Sequence, residues 1–386
     1  MITAARVLHV TTYNEDCGIG KYQEQFLHAM KPIDSVENAI FPYSPNRIRG
    51  MGKSDFSEML SVFKRMVVDY DIVHVQHELS FYETGQLDQL TKAAQQKGKL
   101  VLVTVHTAPS AAYVHPKRSG LSPRSILDYL RKRRAASAYI RKIVEPLRLC
   151  DHIFVHNQAT LEDLVRFGVR REKIMHITHP IPNQKNHAGS GAIREALDYK
   201  EGDTLYATVG FISESKGISH AVKALKFLPD SYKLAIIGGV HPKGDPSYVN
   251  HLCDEIVTLG LENRVHITGY IEDDERLHAS VGECDICVYP YDPRYYTYVS
   301  SGAASIALAQ AKPLVVYPIG SFAEMNSERH VCAITQSSTY IELARVLQTA
   351  DRQKLSIAAK QYAVAHSYEV EAGNLVGLYH KLLSSN

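Results

Sequence analysis

The sequence predicts an α/β protein built from two doubly wound domains. Three observations carry this. Short β-branched runs alternate with longer stretches of helical periodicity. Most of the runs are continuously apolar, as strands covered on both faces must be. The alternation also occurs twice, on either side of a polar break, and 386 residues suit two domains of roughly 100–200 residues each.

The first half, residues 1–182, opens on Arg6–Val10 as a strand, followed by helical periodicity over Tyr22–Met30. Further strands are expected at Ile72–Gln76, Leu100–Val105, His152–Val155 and Lys173–Ile177, with helices over Ser57–Val68, Ile126–Glu145 and Gln158–Phe167. Residues 183–203 carry Pro, Asn, Gly and Ser without an apolar run and read as a linker. The second half, 204–365, repeats the pattern. Its strands are Leu205–Val209, Lys233–Ile237, Val265–Thr268, Ile286–Tyr289 and Pro313–Val316; its helices are Gly217–Phe227, Val249–Leu259 and Ser301–Gln310. The tail, 366–386, is helical again and either closes the second domain or crosses back to the first.

Composition bounds the function. Hydrophobic residues make up 45% and charged residues 22%, a globular balance. Lys plus Arg is 43 against 41 for Asp plus Glu, so the net charge is +2 and no nucleic-acid partner is expected. The six cysteines are too scattered for a disulfide scaffold. The first residues lack the continuous apolar core of a signal peptide, and no apolar run is long enough to span a bilayer. A soluble, cytoplasmic protein is expected.

Three short motifs carry candidate chemistry. Gly18-Ile19-Gly20 lies between a strand and a helix, where backbone amides can approach an anion. It can equally be a tight turn: the G-x-G-x-x-G pattern is incomplete, which also weakens a dinucleotide-dependent oxidoreductase reading. Gly210-Phe211-Ile212 followed by Lys216-Gly217 places a lysine at the next such turn, able to act as a point charge on a phosphate. Ser300-Ser301-Gly302 opens a helix, either as an ordinary N-cap or as an anion site. Together they suggest a ligand with a central diphosphate, lined from both domains across a cleft.

Other features have bland readings beside sharp ones. Cys284-Asp285-Ile286-Cys287 has no second pair, so two buried cysteines are expected rather than a zinc site. Of the 19 histidines, His106 ends a strand where a site would lie. His77 and Glu78 end another and could meet an acceptor, the glutamate raising the histidine's pKa, but adjacent strand residues point to opposite faces, so at most one need face a site. Tyr289, Tyr291, Tyr295, Tyr296 and Tyr298 could stack on a sugar or pack a loop. Residues 117–148 hold ten basic residues against two acids, partly as an amphipathic helix with Ile126, Leu130, Ile140 and Val144 on its apolar face. This is either a solvated face, a soluble-anion site or a peripheral membrane contact.

In the order and spacing of its blocks the chain resembles the GT-B glycosyltransferases of the retaining family 4 type. The blocks are the Gly18–Gly20 turn, VHVQHE (Val73–Glu78), VTVHT (Val103–Thr107), CDHIFVHNQATLEDLVRFGV, VGFISESKG, LAIIGG, HITGYIEDDERLHASVGECDICVYPY and SSGAASIALAQAKPLVVYP. The resemblance implies two Rossmann-like domains facing across a cleft. It also implies transfer of a sugar from a UDP- or GDP-sugar to a hydroxyl acceptor, carbohydrate or lipid-linked, in polysaccharide, glycolipid or glycoconjugate synthesis. No metal or other cofactor is implied, and the site of work would be cytoplasmic or at the inner membrane face.

Residue by residue, the resemblance assigns Gly20 to the donor diphosphate, Lys216 to its phosphates, His106 to the reacting sugar, and Tyr270 and Ile271 to the base pocket. Phe211 stands where the family more often has Arg. The family's E-x7-E carboxylates are replaced by Tyr298 and Ile306, a pattern similar to a subgroup with G-F-I and S-S-G blocks; Glu324 is a candidate substitute. Loss of both carboxylates leaves a non-catalytic sugar-nucleotide-binding protein as the alternative.

Overall fold

In a computed structural model the chain forms two compact units. The structure describes all residues except 1–2, 15–16, 45–47, 49–50, 79–80, 83–84, 107–119, 121, 140–143, 184–188, 241–245, 294–300 and 386.

The first unit comprises residues up to His179 together with Tyr368–Asn386. Its strands are β1 (Ala5–Thr11), β2 (Val36–Pro42), β3 (Ile72–His77), β4 (Leu100–Val105), β5 (His152–Val155) and β6 (Ile174–His176). Intervening helices are α1 (Gly18–Met30), α2 (Lys53–Met66), α3 (Gln86–Gln95), α4 (Pro123–Tyr139), α5 (Glu145–Leu149) and α6 (Gln158–Arg166). The sheet is parallel throughout, in the order β2-β1-β3-β4-β5-β6. Successive residues feed two cores. Leu8, Val73, Val75, Val101 and Val103 pack with Phe63 and Leu90 on one face; Val7, Ile72, Leu102 and Phe154 pack with Tyr22, Phe26 and Met30 on the other. That two-sided burial is why these strands are continuously apolar.

The second face is completed by the tail. Helix Tyr368–Ser384 lays Tyr368, Leu375, Val376 and Tyr379 into the same core as Tyr22 and Phe26. Its Tyr379 hydroxyl lies 2.7 Å from Nδ1 of buried His74, whose Nε2 lies 2.8 Å from Thr104 Oγ1. A buried imidazole is thus satisfied at both nitrogens, one of them by the tail.

The second unit is Pro180–Ser367 apart from residues near 298–300. Residues 189–203, expected as a linker, pack onto it. Buried Glu283 accepts from the amides of Gly191 (3.0 Å) and Ile193 (3.1 Å), and Arg194 pairs with Asp285 at 3.0 Å. Ile193 and Leu197 enter the core from the short helix α7 (Ala192–Ala196). Two apolar residues spaced by one helical turn leave no run to see in the sequence.

The unit continues with β7 (Thr204–Val209), α8 (Ile218–Ala224), β8 (Tyr232–Ile237), α9 (Ser247–Thr258), β9 (Val265–Ile267), α10 (Asp274–Gly282), β10 (Ile286–Tyr289) and α11 (Gly302–Ala309). It ends with β11 (Leu314–Val316), α12 (Gly320–Arg329), β12 (Cys332–Ile334), α13 (Tyr340–Thr349) and α14 (Arg352–Ala365); the tail helix is α15. The sheet is again parallel, ordered β12-β11-β10-β7-β8-β9. The expected α/β, doubly wound architecture is therefore present in both units. Among the described residues no helix is long and apolar enough to cross a membrane.

Candidate active site

Each sheet reverses its winding beside the strand that starts it: between β1 and β3, and between β7 and β10. Ligands of open α/β sheets bind outside the carboxyl ends of strands at such points.

In the second unit, β7 ends in Gly210, whose φ of +110° suits glycine. A Cβ there would lie 3.5 Å from the Ala303 side chain on α11 and 4.0 Å from Lys216 Nζ. The turn thus brings the lysine and the helix start together. Gly217, at φ +65°, presses against Pro290, whose carbonyl leaves no room for a Cβ. Asp292 N–H donates to the Ser215 carbonyl at 3.0 Å, so the segment after β7 is zipped to the segment after β10. Lys216 Nζ donates to the Tyr291 hydroxyl at 3.0 Å and lies 4.4 Å from that ring's centroid. Tyr291 Oη is 2.7 Å from Ser301 Oγ, and Ser301 caps α11 by accepting from Ala304 N–H at 3.2 Å. A cation, a hydroxyl and the amide end of α11, which begins at Gly302, thus share one strand-end site.

Phe211 and Tyr270 are both exposed and stack nearly parallel, 5.7 Å apart and 9° from coplanar. The glycine pair after β8 lies between their strands, with Gly239 packed so closely on the Tyr270 backbone that a Cβ would come within 2.5 Å. Phe211 therefore supplies aromatic surface where the family it resembles more often has Arg. Ile271 packs partly buried against the core, unlike Tyr270. So does Ile306, at one lost carboxylate position. Glu324 lies in the second turn of α12, two residues beyond Phe322, whose ring packs on Tyr289 and Tyr291. Ser300 and Tyr298 lie outside the described residues.

Of the two readings of the tyrosine cluster, packing holds for Tyr289 and Tyr291. Tyr289 and Tyr291 are buried, and Tyr289 spends its hydroxyl on the Ala303 carbonyl at 2.8 Å. Their apolar rings are worth more in the core than at an open surface. Tyr295 and Tyr296 lie outside the described residues. Cys284 and Cys287 are buried thiols, as expected; burial pushes Cys287 up to about 12 and Cys284 well above the usual thiol value.

In the first unit Gly18 begins α1 and is exposed. Gly20 is buried, and its amide donates to the thiol of Cys17, the helix N-cap, at 3.2 Å. The expected Gly20 contact with a diphosphate would have to displace that cap. His106 follows β4, half-buried, with Nε2 2.8 Å from Gln76 Oε1 and its ring edge-on to Tyr22 at 4.7 Å. Burial, then the neighbouring His179 and His77, pushes its pKa down to about 3, so it is neutral. A neutral imidazole can donate to or accept from a sugar hydroxyl without bringing charge. His77 is corrected: it is buried and stacked on Tyr82, and burial lowers its pKa to about 4 despite Glu78.

Helix α4 is also partly corrected. Ile126 and Leu130 are exposed, as is Leu127, while Val144 lies in the core and Ile140 outside the described residues. The helix is described over Pro123–Tyr139, and residues 140–143 of the expected stretch lie outside the described residues.

Comparison with known proteins agrees with this architecture. Residues 12–185 match the family model Glycosyltransferase Family 4, and residues 190–361 match Glycosyl transferases group 1. Similar solved structures include a glycosyltransferase from Rickettsia africae, at 13% identity and TM-score 0.74. Sucrose-phosphate synthase from Thermosynechococcus elongatus is similar at 17% identity and TM-score 0.73. Anabaena Alr3699/HepE in complex with UDP is similar at 17% identity and TM-score 0.69. Each comparison covers 99% of this chain and 100% of the other. No curated protein sequence matches. The chain is a glycosyltransferase of the GT-B fold, with a family 4 first half and a group 1 second half.

Proposed function

We propose that the protein moves a sugar from a nucleoside-diphosphate sugar to a hydroxyl acceptor with retention of anomeric configuration. The observation that carries this is the site at the β7/β10 reversal, where the Lys216 ammonium, Ser301 and the start of α11 converge. Such a site stabilises the diphosphate as the anomeric C–O bond breaks. The acceptor oxygen forms the new bond, and its proton passes to the departing phosphate oxygen. Retention rests on the family resemblance, as does the subgroup in which the G-F-I and S-S-G blocks accompany the lost carboxylates. Phe211 and Tyr270 offer a stacking face for the base, with Ile271 packed on the core; the family resemblance alone assigns His106 to a donor-sugar hydroxyl and Gly18–Gly20, at the start of α1, to the diphosphate. Glu324 is a candidate for the missing carboxylate role. Charge is met by side chains and amides, so no metal is invoked.

UDP is the first donor base to try, because a similar fold has been solved in complex with UDP-glucose. Incubation with UDP-, GDP- and ADP-sugars and a panel of carbohydrate and lipid-linked acceptors should release free nucleoside diphosphate with one donor, equally with and without EDTA. No release with any donor overturns the reading.

The acceptor would be built into a polysaccharide, glycolipid or glycoconjugate at the cytoplasmic face of a membrane. The support is α4, where exposed Ile126, Leu127 and Leu130 lie among exposed Arg124, Arg131, Arg133 and Arg134. Replacing Arg131, Lys132, Arg133 and Arg134 with Glu should abolish co-sedimentation with phosphatidylglycerol vesicles. Sedimentation equal to wild type removes the membrane contact.

A further inference from the structure

The Tyr291 hydroxyl links the lysine turn to the α11 cap: it lies 3.0 Å from Lys216 Nζ and 2.7 Å from Ser301 Oγ. We infer that Tyr291 is a positioning residue: it fixes where the Lys216 charge stands and which way the Ser301 hydroxyl points. The inference rests on the diphosphate site proposed above and extends it to a residue that would not itself touch the donor.

The hydrogen-bond polarity follows from the donor inventory. An ammonium only donates, so the Tyr291 oxygen accepts from Lys216 at 3.0 Å. Tyr291 Oη and Ser301 Oγ are 2.7 Å apart and share one proton, either hydroxyl being able to donate it. Ser301 Oγ also accepts from Ala304 N–H at 3.2 Å. The site therefore gathers an ammonium and two hydroxyls at a helix N-terminus, which favours an oxyanion over a neutral hydroxyl.

The tyrosine is well placed to set this geometry because it cannot move. It is 2% exposed, and its ring meets Tyr289 at 5.7 Å and Phe322 at 5.8 Å. Gly217 against Pro290 and the Asp292–Ser215 hydrogen bond lock the two strand-end segments around it. A lysine stem is flexible, and holding its end before the ligand arrives removes part of the ordering cost of binding.

The test is Tyr291→Phe, which keeps the ring and its contact with the ammonium but removes the hydroxyl. Calorimetric titration would use inorganic pyrophosphate, then UDP, GDP and ADP with the matching nucleosides, on wild type, Tyr291→Phe, Lys216→Met and the double variant. Tyr291→Phe should weaken the diphosphate that wild type binds by roughly ten- to a hundredfold. Affinity for the matching nucleoside should stay at the wild-type value, as a general loss of structure would not allow. In the Lys216→Met background the tyrosine change should cost clearly less than it does alone, because only its hold on Ser301 remains to be lost. Unchanged diphosphate affinity in Tyr291→Phe, or additive losses in the double variant, overturns the positioning role alone. Failure of wild type to bind pyrophosphate and every diphosphate overturns the phosphate site beneath it. If Tyr291→Phe does not fold, Ser301→Ala cuts the far end of the same relay. It should weaken diphosphate binding by about tenfold, and no change would overturn the relay.

Discussion

Lys216→Met should lower kcat for sugar transfer by about 10²–10³-fold, the loss typical of one preorganised charge or donor at a developing anion. Methionine keeps the stem and removes the ammonium. The fold should tolerate the change, because Lys216 is half-buried and methionine keeps its stem, while the packing of that turn depends on Gly217 and Pro290. Charge stabilisation of the leaving diphosphate acts mainly in the transition state, so kcat should fall more than KM rises. Initial-rate measurements on the donor found by screening decide it. A variant with near-normal turnover would remove Lys216 from the phosphate site.

Acid should unfold the first unit before the second. His9, His74, His77 and His156 are buried there, and burial depresses each pKa, to about 4 for His9 and His77. The unfolded chain takes up these protons as pH falls below its ordinary value of 6.5, while the folded unit does not. Stability present above pH 6.5 is therefore lost as pH falls towards 4. At pH 5 the penalty is about 2 kcal/mol for each of His9 and His77. That is a large share of a typical domain stability of about 5–15 kcal/mol. Among the described residues the second unit has no buried histidine. Hydrogen exchange followed by mass spectrometry from pH 7 to 4.5 should show peptides of β1, β3 and β5 losing protection while those of β7, β8 and β10 keep theirs. Simultaneous loss would sink the idea.

What could be read in the sequence follows from burial. The strands expected from apolar runs are covered on both faces, so every residue reports the same environment. β2 was not legible, because VENAIFP is an edge strand with Glu37 exposed and Asn38 half-buried. β12, at the opposite edge of the other sheet, has only three residues. The surface helices α3, α12 and α14 carry too many polar residues for a run to stand out. At the site, Gly210, Lys216 and Ser301 were legible because strand end, turn and helix start fix their order in the chain. The Tyr291 link was not. It joins residues 75 positions apart, and a row of similar tyrosines gives no sign of which hydroxyl meets a lysine. His77 misled for a related reason: its adjacent glutamate was visible in the sequence, but the Tyr82 ring that encloses it was not.

The tail helix has a consequence for how the chain is made. The first unit cannot close its second core until residues 368–384 arrive, whereas the second unit draws on one stretch from Pro180 to Ser367. On the ribosome the usual vectorial order is therefore reversed. The earlier-synthesised unit must wait, with one face of its sheet uncovered, while the later one can fold. Until then that apolar face is a natural substrate for a holdase chaperone, and a premature stop anywhere before Tyr368 damages the part of the protein made first.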